Sequence, residues 1–127
     1  MGVVEVVAAI IERDGRYLIT RRLEGTHLAG LWEFPGGKLL KGEKPEDALR
    51  RELREELGVE AAVGELIQTV DWTYPEKSVG LLFFRCALAG EPTSLEGQEM
   101  RWIAAADLPS CTLPDADATL IAKLSRR

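Results

Sequence analysis

The sequence predicts an α/β (α+β) fold in which a mixed β-sheet is sandwiched between α-helices. Three observations predict it. Apolar and β-branched runs of strand length occur on both sides of an internal amphipathic helix. The pair Asp14-Gly15 is a strong hairpin signal between the first two runs. A second apolar pattern with helical spacing closes the chain, so helices are available for both faces of the sheet.

The first part of the chain contains the expected central strands. Residues 3–11 are nearly all apolar or β-branched, which is typical of a strand covered on both faces. The Asp-Gly turn leads to a return strand at 17–20, which ends beside a pair of arginines. Residues 31–34 predict a further short strand. The two glycines after Pro35 let the backbone approach a ligand closely, form a tight turn, or do both.

The internal helix is predicted over residues 45–57 by its ends and by its apolar stripe. Pro45 suits the first helical position, where its missing N–H would be unpaired anyway, and Gly58 suits the left-handed residue just past the end. Leu49, Leu53 and Leu57 recur every four residues and form the face that we expect to be buried.

The second half of the chain first predicts a hairpin, with strands at 63–74 and 78–89 joined by a turn at 75–77. It then predicts a short strand at 100–103, a helical turn at 104–109, and a helix from 115 or 116 to 124. There is no internal repeat, linker or low-complexity tract. The length and the 46% hydrophobic content predict one soluble globular domain over residues 1–127.

Composition disfavours several kinds of partner. The 16 basic and 21 acidic residues give a net charge of -5, which would repel a nucleic-acid polymer, and no apolar run is long enough to cross a membrane. Cys86 and Cys111 lack metal-binding spacing, and the N-terminus lacks the regions of a signal peptide, so we expect a cytoplasmic protein. The sequence leaves monomer and homodimer open.

Three carboxylates, Glu52, Glu55 and Glu56, gather on one face of the internal helix, and we expect them to point outward. Glu52 and Glu56 are a like-charge pair four residues apart, which costs an isolated helix about 0.2–0.5 kcal/mol. One explanation is a solvated face neutralised by arginines, through pairs such as Asp47 with Arg51 and Arg51 with Glu55. The clustering beside a glycine-rich loop instead favours a hard divalent cation, because Mg²⁺ binds carboxylates together with waters and substrate phosphates.

The same stretch fits a longer pattern, G-x5-E-x7-R-E-U-x-E-E-x-G-U, in which U is aliphatic. Every fixed position is filled, by the following residues: Gly37, Glu43, Arg51, Glu52, Leu53, Glu55, Glu56, Gly58 and Val59. This pattern is the Nudix box, and the chain resembles the Nudix hydrolase family, most of all its MutT-type branch. Similar segments lie outside the box, at residues 21–22, 27, 31–37, 74–77, 95–98 and 121–124.

The resemblance implies a set of metal-binding and catalytic residues. Divalent ions, Mg²⁺ with Mn²⁺ as a substitute, would be held by these groups: Glu52, Glu55, Glu56, Glu96 and a carbonyl of Gly36 or Gly37. Glu52 is expected to be the general base or the metal ligand next to the reactive water, and Glu55 competes for this role. Arg51 is expected among the catalytic residues, where it and Glu43 would fix the loop against the helix.

The resemblance also implies a nucleotide site, with these residues around the substrate: Arg22, His27, Glu33, Phe34, Pro35, Gly36, Lys77 and Asp117. Simpler explanations are open for three of them. Arg22 could be an exposed strand end, His27 an ordinary surface histidine, and Asp117 the cap of the final helix.

Two positions depart from the usual family pattern. Lys44 stands where Ser or Thr more often caps the helix. Asp117 stands where enzymes of this branch that act on oxidised guanine carry asparagine. An amide both donates and accepts hydrogen bonds, whereas an ionised carboxylate only accepts, so Asp117 affects the expected base preference.

The implied reaction is attack of water on a nucleoside triphosphate, which yields the monophosphate and pyrophosphate. The expected substrates are oxidised nucleotides such as 8-oxo-dGTP, and the expected role is sanitation of the nucleotide pool, in support of DNA repair. Because a carboxylate also suits the amino group of cytosine, a CTP or dCTP pyrophosphohydrolase is the alternative. A non-catalytic nucleotide sensor is a third reading, which the complete box disfavours.

Overall fold

The computed structural model describes residues 3–26 and 29–125, and within them the chain forms a seven-stranded mixed sheet around its first strand. The elements are, in chain order: β1 (Val3–Arg13), β2 (Arg16–Arg21), β3 (Trp32–Glu33), β4 (Gly36–Lys38), α1 (Pro45–Leu57), β5 (Ala61–Thr73), β6 (Ser78–Leu88), β7 (Met100–Ala104) and α2 (Ala118–Ser125). Two short 3₁₀ helices cover Ala105–Ser110 and Asp115–Asp117.

Strand β1 has hydrogen-bonded neighbours on both sides. The strand order is β3-β2-β1-β6-β5, with β4 also paired to β1 and β7 to β2. The pairing of β1 with β6 is parallel, and its pairing with β2 is antiparallel. From Val7 to Ile11 the side chains of β1 alternate between two cores, which confirms a strand covered on both faces there. Val3 is 58% exposed, so the covered stretch begins later than predicted.

Helices cover the two faces of the sheet. On one face, Leu49, Leu53 and Leu57 of α1 are fully buried against Val7 and Ala9 of β1. The other face packs against α2 and the 3₁₀ helix Ala105–Ser110, through these residues: Ala8, Ile10, Phe83, Leu108, Leu120 and Leu124. This arrangement confirms the predicted fold class. No helix in the described ranges is both long enough and apolar enough to span a membrane.

The internal helix has the predicted bounds. Pro45 lies in the first turn, and Lys44, the residue before it, makes no side-chain cap. Glu46 and Asp47 place negative charge at this end, which interacts favourably with the helix dipole. Gly58 ends the helix in the left-handed conformation (φ 63°) and donates its N–H to the carbonyl of Arg54 at 3.0 Å.

Other predicted boundaries were wrong. β3 is only two residues long, because it pairs with the end of β2 and nothing extends that pairing. β5 begins at Ala61, earlier than predicted, and its register to β6 shifts on either side of Leu66. The final helix starts at Ala118, because Asp115–Asp117 form a 3₁₀ turn in which Asp117 donates its N–H to Pro114.

The predicted glycine turn is instead strand β4. Gly36 lies opposite Ala8, and Gly37 lies opposite Val7. A Cβ on Gly36 would collide with the carbonyl of Val7 and lie 2.8 Å from Cα of Ala8. A Cβ on Gly37 would lie 2.6 Å from Oε1 of Glu52. The two glycines therefore let β4 fit between β1 and α1 rather than reverse the chain.

We expect Gly36→Ala to lower the free energy of unfolding by about 1–3 kcal/mol, because the new methyl group meets backbone atoms that cannot move aside without disrupting β1. Urea denaturation measures this. Gly90→Ala is the matched control, since its Cβ would meet only Val59 Cγ2 at an ordinary 3.8 Å. Equal stability of the two variants would contradict the close packing of β4 on β1.

Candidate active site

An open cavity of about 380 Å³, here called the main cavity, lies on the face of the sheet that α2 covers. Its floor is apolar, since alternate residues of β1 and β6 point to the same face: Val6, Ala8, Val79, Leu81 and Phe83. Phe34 extends this floor through an edge-to-face contact with Phe83, with ring centroids 6.2 Å apart. A broad apolar floor of this kind suits a planar aromatic ligand.

Three cationic side chains, Arg22, Lys38 and Lys77, line the same cavity. Lys77 is held in the turn between β5 and β6, where its carbonyl accepts the N–H of Tyr74 at 2.7 Å. Burial lowers the pKa of Lys77, and the nearby charges of Lys38 and Arg22 lower it further. Cations that repel one another around a cavity are stabilised by an anionic ligand, and a polyphosphate has this charge.

Asp117 also lines the main cavity and is only 5% exposed. Its carboxyl group has no hydrogen-bond partner among the residues that the structure describes, so it does not cap α2. Burial raises the pKa of Asp117 to about 7, and the negative charge of Glu33 adds to this effect. A buried polar group without a protein partner is costly, which makes Asp117 a candidate for contact with a bound ligand.

A second cavity of about 110 Å³, the acidic cavity, adjoins the first. Glu33, Glu56 and Glu96 line it together with Gln98. Arg22 and Glu33 line both cavities, and Arg22 Nη1 lies 2.7 Å from Oε1 of Glu33. This ion pair therefore stands at the boundary between the two cavities. Burial raises the pKa of Glu33 although Arg22 opposes the shift.

Glu56 does not point outward as predicted, because β4 lies across that part of α1. Its residue exposure is 7%, and its Oε2 accepts the backbone N–H of Gly36 at 3.1 Å. Burial raises the pKa of Glu56 to about 9. Three neighbouring carboxylates raise it further: Glu33, Glu52 and Glu96.

Arg51 joins the loop after β4 to α1. Its Nε and Nη2 bind the two carboxylate oxygens of Glu43, both at 2.9 Å, and Nη2 also donates to the carbonyl of Lys38 at 3.1 Å. Nη1 reaches Oε1 of Glu52 at 3.0 Å. The hydrogen bonds from Arg51 hold the pKa of Glu43 down at about 2. This arrangement agrees with the bridging position expected for Arg51 and Glu43.

The carboxylates fit a hard divalent cation by their chemistry and charge. Burial raises the pKa of Glu52, and the charges of Glu55 and Glu96 add to this against the opposing effect of Arg51. A positive charge beside these carboxylates would offset their mutual electrostatic repulsion. In residues 3–26 and 29–125 no three acidic side chains converge into a finished cage. Such a site still suits Mg²⁺, which retains waters and completes its shell with substrate phosphates.

Three predicted site residues in the described ranges line neither cavity: Arg51, Pro35 and Glu55. Glu55 lines neither cavity, its side chain is 54% exposed, and it pairs with Arg51 at 3.2 Å. Pro35 is buried outside both linings, and its carbonyl accepts the N–H of Ala9 at 2.8 Å. The prediction for His27 lies outside the described residues.

Sequence reasoning missed Lys38, Tyr74 and Gln98, all of which line a cavity. Lys38 could have been found, because alternation along a strand places it on the same side as Gly36. Tyr74 and Gln98 carried no such signal. Their positions depend on the β5–β6 turn and on the packing of residues 93–98 against the end of α1.

We expect Arg51→Lys to lower the melting temperature by several degrees, because one ammonium group cannot span Glu43 and the carbonyl of Lys38 together. Differential scanning calorimetry measures this. Arg50→Lys is the control and should leave the melting temperature nearly unchanged, since Arg50 pairs with the exposed Asp47 at 2.9 Å, a surface ion pair. This pair replaces the predicted pair of Asp47 with Arg51. Equal changes in melting temperature for the two substitutions would contradict a structural role for the guanidinium group of Arg51.

The raised pKa of Asp117 predicts a pH-dependent stability. Between the ordinary pKa of 3.8 and the folded value of about 7, the folded protein holds an extra proton, so the free energy of unfolding falls as pH rises through this range. Asp117→Asn removes this loss. We therefore expect the variant to gain stability relative to the parent as pH rises, at about 1.4 kcal/mol per unit of pKa shift and levelling off above pH ~7.

Urea denaturation of both proteins at several pH values tests this prediction. Glu33 and Tyr74 face the same region and are retained in both proteins, so their titration largely cancels in the difference. A stability difference that does not change with pH would contradict a buried, ionisable Asp117.

Comparison with known proteins places this site in a family. The NUDIX domain model matches residues 6–123. The chain is 41% identical over 124 residues to the 8-oxo-dGTP diphosphatase of Haemophilus influenzae, covering 96% of this chain and 91% of the relative. It is 58% identical over 67 residues to the CTP pyrophosphohydrolase of Escherichia coli, covering 53% and 50%. A MutT NUDIX hydrolase from Burkholderia pseudomallei superposes with a TM-score of 0.87 at 30% identity, over 96% of this chain and 98% of that one. The chain belongs to the NUDIX hydrolase family.

Proposed function

We propose that this hydrolase converts nucleoside triphosphates to monophosphates and pyrophosphate, with 8-oxo-dGTP as its main substrate. One observation carries the proposal. Asp117, which is buried and has no hydrogen-bond partner for its carboxyl group within the described residues, lines the same main cavity as the cations Arg22 and Lys77 and the carboxylate of Glu52. Asp117 would contact the nucleobase of the substrate. Arg22 and Lys77 would contact its polyphosphate, and Glu52 would act where hydrolysis takes place. The relative from Haemophilus influenzae, which carries the same activity in its name, supports the choice of substrate.

The chain's own residues would divide the reaction as follows. The phosphate chain would be bound and oriented by Arg22, Lys38 and Lys77. Their positive charges repel one another, and a bound polyphosphate would offset this repulsion. Glu52 would accept the proton of the attacking water, since its carboxylate lines the main cavity and is oriented by Arg51. Glu55 is the weaker candidate for this step because it lies outside the lining.

We propose Mg²⁺ as the physiological metal, with Mn²⁺ able to replace it. Glu52, Glu56 and Glu96 would hold it, and the backbone at Gly36 and Gly37 lies close enough to the first two to contribute. When bound, the metal would screen the phosphate charge and lower the pKa of the attacking water. The carboxyl oxygens are the hard ligands that such ions prefer.

The base preference depends on Asp117. Because the pKa of Asp117 is about 7, its carboxyl group is protonated in a large share of the molecules near neutral pH. A protonated carboxyl donates one hydrogen bond and accepts another, as an asparagine side chain does. Asp117 can thus offer an oxidised purine the same donor and acceptor pair, despite the departure from asparagine.

Hydrolysis of CTP or dCTP is the second candidate. The ionised form of Asp117 only accepts hydrogen bonds, which suits the amino group of cytosine. The match to the Escherichia coli CTP pyrophosphohydrolase also favours this reading, although it covers only half of each chain. We further propose that residues 1–127 act as one domain in the cytoplasm, where nucleotide pools are found, on a free nucleotide rather than a nucleic-acid polymer.

A substrate panel tests the proposal. Pyrophosphate release is measured with Mg²⁺ for 8-oxo-dGTP, dGTP, CTP, dCTP and ADP-ribose. We expect kcat/KM for 8-oxo-dGTP to exceed that for dGTP and dCTP by roughly tenfold or more, the discrimination that a matched buried hydrogen bond provides. We expect Glu52→Gln to lower kcat by roughly 100-fold or more.

Glu46→Gln is the matched control on the same helix, because Glu46 is exposed in the first turn and away from both cavities. A preference for dCTP would replace the oxidised-guanine assignment by the second candidate. Full activity of Glu52→Gln would overturn the catalytic assignment.

A further inference from the structure

We propose that Gln98 is a positioning residue that sets Glu96 against the end of α1 and so completes the metal site. The inference rests on the proposed function, in which Glu96 is a metal ligand. Gln98 is 6% exposed and lines the acidic cavity together with Glu56 and Glu96. Its side chain is uncharged, so we expect it to act through hydrogen bonds rather than as an anionic metal ligand.

The side-chain amide of Gln98 joins two segments of the chain. Its Oε1 accepts the backbone N–H of Glu96 at 3.2 Å and the hydroxyl of Ser94 at 2.9 Å. Its Nε2 reaches the carbonyl of Glu56 at 3.4 Å, a long hydrogen bond across 42 positions of sequence. One amide group therefore contacts the main chain of two proposed metal ligands, Glu56 and Glu96.

The same junction is strengthened by backbone hydrogen bonds. Leu95 donates its N–H to the carbonyl of Glu56 at 2.9 Å, and Thr93 donates to that of Leu57 at 2.8 Å. These carbonyls belong to the last turn of α1, where no helical partner remains for them. The segment that carries Glu96 thus serves as the C-terminal cap of the helix that carries Glu52 and Glu56.

Only an amide meets the requirements at position 98. On one side the N–H of Glu96 and the hydroxyl of Ser94 meet an acceptor, whereas on the other side the carbonyl of Glu56, which already accepts the N–H of Leu95, meets a second donor. A carboxylate would supply the acceptor alone and would add charge beside Glu56 and Glu96. An apolar side chain would leave the N–H of Glu96 without this acceptor, whereas the hydroxyl of Ser94 would keep the backbone carbonyl of Gln98 and the carbonyl of Glu56 would keep the N–H of Leu95.

The geometry also explains why the amide would matter more for Glu96 than for the fold. Leu95 and Thr93 already hold the segment on α1 through their backbone. The next residue after Glu96 is Gly97, whose positive φ of 79° bends the chain sharply. The bond from Gln98 to the N–H of Glu96 closes this bend and fixes the direction of the Glu96 main chain.

The test measures Mn²⁺ binding by isothermal titration calorimetry, without any nucleotide. The proteins compared are the parent, Gln98→Met, Glu96→Gln, the double variant and Ser94→Ala. Methionine matches glutamine in length but makes none of its hydrogen bonds. We expect Gln98→Met and Glu96→Gln each to weaken Mn²⁺ binding by roughly tenfold or more, as the loss of an orienting partner typically does.

The double variant should bind Mn²⁺ about as well as Glu96→Gln alone, because Gln98 acts through Glu96 and the two losses overlap. Ser94→Ala is the control for general loosening of the segment. It removes the hydroxyl that contacts both the side-chain amide and the backbone carbonyl of Gln98 while leaving the amide's bonds to Glu96 and Glu56, so we expect an affinity within roughly twofold of the parent. A melting curve of each protein accompanies the titrations.

Three results would overturn the proposal: unchanged Mn²⁺ affinity of Gln98→Met, additive losses in the double variant, or an equally large loss in Ser94→Ala. If Gln98→Met does not fold, Gln98→Asn replaces it, since its shorter amide cannot span both partners, and the same overlap with Glu96→Gln is required. Because no nucleotide is present, a failed substrate panel leaves this test intact. If the parent hydrolyses 8-oxo-dGTP normally but the losses of Mn²⁺ affinity in the double variant are additive, the role of Gln98 is rejected and the proposed function stands.

Discussion

The hydrogen bond from the backbone of Gly36 to the buried carboxylate of Glu56 is the contact on which the site depends. It joins β4, which is itself paired to the central strand, to the last turn of α1. The main chain of Glu56 is held from the other direction by Leu95 and Gln98. One residue therefore connects the sheet, the helix and the segment before β7, and displacement of any one of these would move the carboxylates of the site.

The site concentrates ionisable groups in a way that opposes stability. Burial raises the pKa of Glu33, Glu56 and Asp117, so each of these carboxyl groups would be more easily ionised in water than in the fold. Lys77 is shifted in the opposite direction for the same reason. A fold selected for stability alone would separate or expose such groups. Their confinement to two adjoining cavities is typical of a functional site that its ligands complete.

The sequence predicted the parts of the fold that local rules control. Pro45, Gly58 and the leucine stripe defined α1, and the spacing of Glu52 and Glu56 indicated a site for a cation. Contacts between distant segments could not be predicted in this way. The burial of Glu56 depends on β4, Asp117 is buried in the 3₁₀ turn before α2, and Gln98 meets Glu56 from 42 positions away. The tight-turn role of Gly36 was wrong because a pair of glycines favours a turn by propensity, whereas here the packing of two strands requires glycine.

The parallel pairing of β1 with β6 has a consequence for synthesis. Val3 pairs with Ser78 and Ile11 with Cys86, so each pair is separated by 75 positions along the chain. At translation rates of roughly 5–20 residues per second, β1 leaves the ribosome roughly 4–15 seconds before its parallel partner does. During that interval a strongly apolar strand has only β2 and β4 to cover its backbone. The nascent chain is thus exposed to misassociation at its most hydrophobic segment, and the sheet can close only after β6 has been made.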